Sequence, residues 1–164
     1  MENEINTNIV KREDINPSIL LRSADGYYRA GTILLKDTKD GILFFKYVFS
    51  PCVVNFSFAC ELYFKCLLSI KNVSYKNIHK LNYLYEMLEN DIQNEIKSEY
   101  QKLKNKLDFE KCINIHTNVF VEFRYMHEYY GINADPFSLK NLSKALKKVA
   151  HKLKNNYEVD NINT

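Results

Sequence analysis

The sequence contains no tryptophan and few of the residues that form tight turns, with 4 glycines and 3 prolines in 164 residues. All-β sandwiches and α/β folds need more turns than this composition supplies. Hydrophobic residues make up 46% of the chain, which is enough for a core and argues against intrinsic disorder. Length and composition therefore favour one all-α domain.

The cysteines do not have the spacing of a metal site or of a redox motif. There are four, none of them in a CxxC pair, and their positions do not match the usual ligand patterns. We therefore expect free thiols in a reducing compartment, and no metal or cofactor. The four residues are Cys52, Cys60, Cys66 and Cys112.

Long uncharged runs are also missing. The polar and acidic start, Met1–Asn8, does not resemble a secretory signal. The longest apolar stretch, Val48–Cys60, is interrupted by Ser50, Pro51 and Asn55, whereas a membrane-spanning helix needs about 20 apolar residues. These features predict a cytoplasmic protein with no membrane partner.

Neither sign of charge dominates. The net charge is +3, well below the basic stripe expected of a dedicated duplex-DNA binder. One basic amphipathic segment, Lys144–Lys154, is predicted to be a solvated helix face. Attraction of this segment to a nucleic-acid backbone is the alternative.

Apolar residues recur at helical spacing and predict an up-and-down bundle of four to five helices. The bundle occupies residues 14–155, between flexible tails at 1–13 and 156–164. Asp108 and Asp135 are predicted N-caps, and Ser50 with Pro51 is predicted to start the central helix. Gly26 and Gly31 are expected to permit close helix packing. The predicted helices are Ser18–Lys36, Pro51–Lys71, a short one at Leu81–Leu88, Phe109–Tyr130 and Phe137–Leu153, with Asn90–Lys106 either an exposed helix or a mobile excursion.

Two charged residues stand inside the apolar central helix. Glu61 and Lys65 are four residues apart, so they share a helix face in the favourable order, with the acid first. A buried charge persists only when it is paired. The pair is either a structural ion pair or a polar centre that faces a cleft.

Histidines mark two further places. His79 lies where a loop enters a helix, and His127 lies between Arg124 and Glu128. The last three residues are at i, i+3 and i+4, hence on one helical face. A guanidinium can hold a phosphate while an imidazole moves protons. The alternative is an Arg124–Glu128 ion pair that braces the helices.

The three groups, in this order, resemble the HEPN (higher eukaryotes and prokaryotes nucleotide-binding) domain family. The resemblance is carried by the segment FACELYFKCLL at Phe58–Leu68, by His79-Lys80-Leu81 with Leu84-Tyr85, and by Phe123-Arg124-Tyr125 with Glu128. It covers about Ile15–Leu153.

The resemblance implies a helical homodimer that acts on or binds RNA or a nucleotide. Many HEPN proteins are metal-independent endoribonucleases of defence or toxin–antitoxin systems, and others bind nucleotides or a partner nucleotidyltransferase or antitoxin. The family's catalytic motif places four to six residues between Arg and His, where this sequence places two between Arg124 and His127.

The leading hypothesis is therefore a HEPN-like protein in which Arg124 holds the scissile phosphate and His127 moves protons. In this hypothesis Glu61, Lys65, His79 and Glu128 form a supporting polar network. The alternative is a catalytically inactive module that binds a nucleotide or a protein.

Overall fold

A computed structural model describes residues 16–36, 41–75, 77–124 and 133–162 of the chain. Over these residues the chain is helical and contains no strand, so the prediction of an all-α fold is confirmed. Eight α-helices and one π-helical turn follow one another in these segments. They are α1 Pro17–Lys36, α2 Gly41–Leu43, the π-helical turn Phe44–Val48, α3 Phe49–Ile70, α4 Leu81–Glu86, α5 Asn90–Gln101, α6 Phe109–Ile115, α7 Val119–Arg124 and α8 Pro136–Ile162.

Helix α3 is the centre of the fold, with α1 and α8 packed along it. It is apolar around most of its circumference, and its residues from Cys52 to Ile70 contribute to both clusters of buried core residues. Burial of each large aliphatic or aromatic side chain contributes about 1.5–3 kcal/mol. The polar residues of α3 are therefore held at fixed positions by dense packing on every side.

The start of α3 differs from the prediction. The π-helical turn runs directly into α3 at Phe49, and Val48 precedes it without a side-chain cap. Ser50 is therefore inside the helix, and Pro51 lies in its first turn, where a missing N–H costs little. The segment Gly41–Ile70 is helical throughout, and it is long and apolar enough to cross a membrane by length and composition alone. A buried core helix meets the same criterion.

The sequence predicts a single helix at Phe109–Tyr130, and this prediction is wrong over its described residues, which end at Arg124. Asp108 does cap α6, since its carboxylate accepts a hydrogen bond from the Lys111 N–H at 2.8 Å. The helix ends at Ile115, and α7 begins at Val119 after a turn. The backbone carbonyl and hydroxyl of Thr117, in that turn, accept hydrogen bonds from the N–H groups of Leu81 and Asn82. The polar groups of Thr117, between α6 and α7, thus accept hydrogen bonds from the first two N–H groups of α4.

The last helix is longer than predicted. Asp135 caps it through hydrogen bonds from the N–H groups of Phe137 and Ser138. It then continues beyond Leu153 to Ile162, because no glycine or proline follows to end it. For Asn90–Lys106 the sequence predicts either an exposed helix or a mobile excursion. The structure has the helix, α5, which packs on α8.

Candidate functional site

The candidate site is built around a buried carboxylate on α3. Glu61 is 1% exposed, although its neighbours on the helix are almost all apolar. Its Oε1 atom accepts a hydrogen bond from Lys65 Nζ at 2.5 Å, one helical turn further on. The predicted ion pair between these residues is therefore present, and its carboxylate lies inside the protein.

A second segment brings His79 to the same oxygen. The Nδ1 atom of His79 lies 2.9 Å from Glu61 Oε1. The hydrogen bond from Leu81 N–H to Thr117 holds the segment that carries His79 against the α6–α7 turn. The imidazole side chain is 52% exposed, so it joins a buried acid to the protein surface.

The ammonium group of Lys65 is more enclosed than the imidazole. The Lys65 side chain is 14% exposed, and its Nζ lies 5.8 Å from the centre of the Tyr75 ring. The hydroxyl of Tyr75 is 2.9 Å from Ser69 Oγ on α3. Cation–π contact and the carboxylate together hold the charge of Lys65 beside His79.

One oxygen of the site has no partner. The Oε2 atom of Glu61 is buried and accepts no hydrogen bond from the part of the chain that the structure describes, and the same is true of Asn82 Oδ1. Buried acceptors are nearly always satisfied, and an exception is costly for the fold. An unsatisfied carboxylate oxygen next to an exposed imidazole is a feature that a purely structural ion pair does not require.

The structure thus brings together three of the six residues that the sequence singled out: Glu61, Lys65 and His79. Two others, His127 and Glu128, lie outside the described residues. For Arg124 only the backbone is described, at the last position of α7.

Helix α7 packs on the first half of α3. The ring of Phe120 stacks on that of Phe58, with centroids 4.6 Å apart, and Phe123 contacts Phe49 at 5.9 Å. The backbone of Arg124 is therefore level with the start of α3, about 18 Å along the helix axis from Glu61.

A second polar cluster was not anticipated from the sequence. Asp25 on α1 accepts hydrogen bonds from Tyr63 at 2.6 Å and contacts Lys147 at 3.1 Å and His151 at 2.9 Å. Burial raises the pKa of Asp25, but the hydrogen bonds from Tyr63 and Lys147 and the charges of His151 and Lys147 lower it, and the net direction is downward. The only sequence indication was an acid on the otherwise uncharged stretch between Arg22 and Arg29 of α1.

His116 has a structural position. It is fully buried, and its Nδ1 lies 2.7 Å from the Cys112 carbonyl while its Nε2 accepts a hydrogen bond from the Asp135 N–H at 3.0 Å. Burial lowers its pKa. This histidine joins the end of α6 to the start of α8.

The basic segment of α8 is largely neutralised by neighbouring acids. Lys148 contacts Glu99 at 2.8 Å and Lys152 contacts Glu95 at 2.7 Å, both on α5. These ion pairs flank the contact of α5 with α8, while the apolar side chains of Ile92, Ile96 and Tyr100 bury α5 against the core. They also leave less positive charge available for a nucleic-acid backbone on this face.

Over the described residues no group of three or more His, Cys, Asp or Glu side chains is arranged to hold a metal ion. All four cysteines are buried as free thiols. Comparison of the chain with protein-family models, curated proteins and solved structures finds no match.

Proposed function

We propose that this chain is a HEPN-like protein that binds RNA and cleaves it without a metal ion, as a cytoplasmic component of a defence or toxin–antitoxin system. The observation that carries the proposal is the meeting of Glu61, Lys65 and His79 on one carboxylate oxygen. The residues come from two separate motifs of the family resemblance. A fold that needed only stability would not require a carboxylate, an ammonium group and an imidazole to meet at the edge of an apolar core.

The chemistry of these groups fits RNA. Cleavage by the neighbouring 2′-hydroxyl needs a proton acceptor, a positive charge beside the phosphate and a proton donor for the leaving oxygen. The proposal keeps Arg124 as the residue that holds the phosphate and His127 as a residue that moves protons. A homodimer is part of the proposal, because a second copy can bring Arg124, at the end of α7, towards Glu61, near the middle of α3.

A row of aromatic rings offers a surface on which bases can stack. Tyr27 lies edge-on to Phe58 with centroids 4.6 Å apart, and Phe58 stacks on Phe120. The Tyr27 side chain is exposed. Stacking of bases on such rings contributes about 1–3 kcal/mol per base and tolerates any sequence.

The test is RNA cleavage in the presence of a chelator. Wild-type protein is expected to release products with 2′,3′-cyclic phosphate and 5′-hydroxyl ends, and Arg124→Ala and His127→Ala to lower the rate at least tenfold. RNA binding is followed separately by fluorescence anisotropy, with Lys111→Ala, a change at an exposed position of α6, as the surface control. Equal cleavage by all variants would remove Arg124 and His127 from the mechanism. The absence of cleavage by wild type would overturn the proposed function, and RNA binding without cleavage would favour the second candidate below.

One observation favours the second candidate, an inactive module that binds a nucleotide or a protein partner such as a nucleotidyltransferase or an antitoxin. Glu61 joins α3 to the segment before α4, which is the bracing role expected of a buried polar network. In this case RNA binding or partner binding is expected without cleavage, and Arg124→Ala is expected to change affinity alone.

A further inference from the structure

We propose that His79 is the proton acceptor of the cleavage reaction, with Glu61 as its positioning residue and Lys65 as the cation beside the phosphate. This inference rests on the proposed function, but it assigns the chemistry to residues that the resemblance treats only as a supporting network. It is argued from the geometry of the three side chains.

The hydrogen bond between Glu61 and His79 determines which nitrogen of the imidazole is free. A carboxylate can only accept, so Nδ1, 2.9 Å from Oε1, carries the proton. The lone pair of a neutral imidazole is then on Nε2. Because half of the His79 side chain is exposed, a substrate can reach it.

Glu61 is suited to hold the imidazole in one orientation. It is 1% exposed on a densely packed helix, so the carboxylate has little freedom to follow the ring. When His79 takes up a proton, the imidazolium is stabilised by the adjacent carboxylate, as a buried acid stabilises histidine in other hydrolytic sites. The Oε2 atom of Glu61 has no hydrogen-bond partner among the described residues, so the contacts within the fold occupy only one oxygen of this carboxylate.

Lys65 adds a cation to the same cluster. Its ammonium and the imidazole contact the same oxygen atom, so their nitrogens are within two hydrogen-bond lengths of each other. In this proposal the positive charge of Lys65, in the same cluster, favours the extra negative charge of a pentacoordinate phosphorus bound next to His79 Nε2.

In the proposed step, the proton of the 2′-hydroxyl moves to His79 Nε2 while the 2′-oxygen forms a bond to phosphorus and the bond from phosphorus to the 5′-oxygen breaks. The leaving 5′-oxygen takes a proton from water. The products are a 2′,3′-cyclic phosphate and a 5′-hydroxyl, and the hydroxide regenerates the neutral imidazole.

The chain offers a matched control in His151. This histidine is also partly exposed and also contacts a carboxylate at 2.9 Å, but through Nε2 and on Asp25. Asp25 is already bound by Tyr63 and Lys147. A change at His151 therefore removes a carboxylate-bound imidazole without touching the proposed proton acceptor.

The experiment compares the cleavage rates of wild type, His79→Ala and His151→Ala on one RNA oligonucleotide, and on the same oligonucleotide with 2′-deoxyribose at the cut position. His79→Ala is expected to lower the rate about 100-fold, and free imidazole is expected to restore part of it in proportion to its concentration. His151→Ala is expected to retain the wild-type rate, and the deoxy substrate is expected to stay intact with every variant.

Two readouts separate the role of Glu61 from simple stabilisation. Glu61→Gln is expected to lower the rate, with partial recovery in Glu61→Asp. In nitrogen NMR spectra His79 of wild type is expected to be protonated on Nδ1 when neutral, and Glu61→Gln to give a mixture of both tautomers.

The outcomes distinguish the two proposals. No cleavage by wild type overturns the proposed function. Cleavage by wild type with an unchanged rate in folded His79→Ala, or a reduced rate that imidazole does not restore, overturns the role of His79 and leaves the proposed function standing.

Discussion

At the residue scale, burial separates carboxylates that look alike in the sequence. Glu61 and Glu110 each pair with a lysine, but Glu61 is 1% exposed whereas the Glu110 side chain is 59% exposed. An exposed pair is screened by water and gains little, while a buried pair becomes costly once one partner is removed. The two acids should therefore respond very differently to the same substitution.

We expect Glu61→Ala to destabilise the protein by about 3 kcal/mol, because it leaves Lys65 without its ion-pair partner in a largely apolar setting. Glu110→Ala is expected to cause no measurable change. Urea unfolding followed by circular dichroism measures both. Equal effects of the two substitutions would show that Glu61 is not buried in solution.

Asp25 gives a prediction of pH dependence. Its pKa is lowered in the folded protein from an ordinary value of 3.8, so the unfolded chain binds more protons in acid. The stabilisation is therefore present above the ordinary pKa and is lost as the pH falls through the pKa of the folded protein. Asp25→Asn is expected to be less stable than wild type at pH 7, with the difference in free energy of unfolding shrinking below about pH 4. A difference that does not depend on pH would contradict the ion-pair role.

At the element scale, the two glycines of α1 have opposite environments. A Cβ atom at Gly31 would lie 3.0 Å from the ring of Phe56, which is fully buried, whereas one at Gly26 would meet nothing within 4 Å. Gly31 therefore allows α1 to approach α3 closely. Gly26 only lowers the helix propensity of α1 at an exposed position.

We expect Gly31→Ala to destabilise the protein by about 1–3 kcal/mol, because a well-packed core resists added volume. Gly26→Ala is expected to stabilise it by about 0.5–1 kcal/mol, since alanine orders the helix at no steric cost. The two variants are matched, because they differ only in position on one helix. Thermal unfolding of both checks the prediction, and a stabilising Gly31→Ala would mean that α1 and α3 are further apart in solution.

At the scale of the whole molecule, the cysteines report on the integrity of the core. All four are buried, and burial raises the pKa of Cys52 and Cys112 to about 11 and that of Cys66 to about 12. The thiolate is the reactive form of cysteine. Reactivity therefore requires opening of the bundle.

We expect a thiol reagent to modify almost no cysteine in the native protein at pH 8 and all four in urea. The rate in the native state is expected to follow global unfolding, because the cysteines are spread over α3 and α6. Mass spectrometry after timed labelling measures this for each residue. Rapid modification of one cysteine without urea would identify a locally open part of the bundle.

Part of the site could be predicted from the sequence. The i, i+4 spacing of Glu61 and Lys65 in an apolar helix predicted their ion pair, because helical geometry alone brings such residues together. The contact with His79 could be expected only from the family resemblance, since it depends on how the loop after α3 folds back. The cluster at Asp25 was missed because its members lie on three helices and are far apart in the sequence.

The sequence by itself determined the all-α class, the central place of α3 and the caps at Asp108 and Asp135, because composition, periodicity and capping are local properties. Only the tertiary structure decided the break between α6 and α7 and the sharing of one buried oxygen by Lys65 and His79. Between α6 and α7, Thr117 accepts hydrogen bonds from the start of α4. At the candidate site, the loop after α3 folds back and places His79 against Glu61 of that helix. Both depend on contacts between distant segments, which local helical preference does not specify.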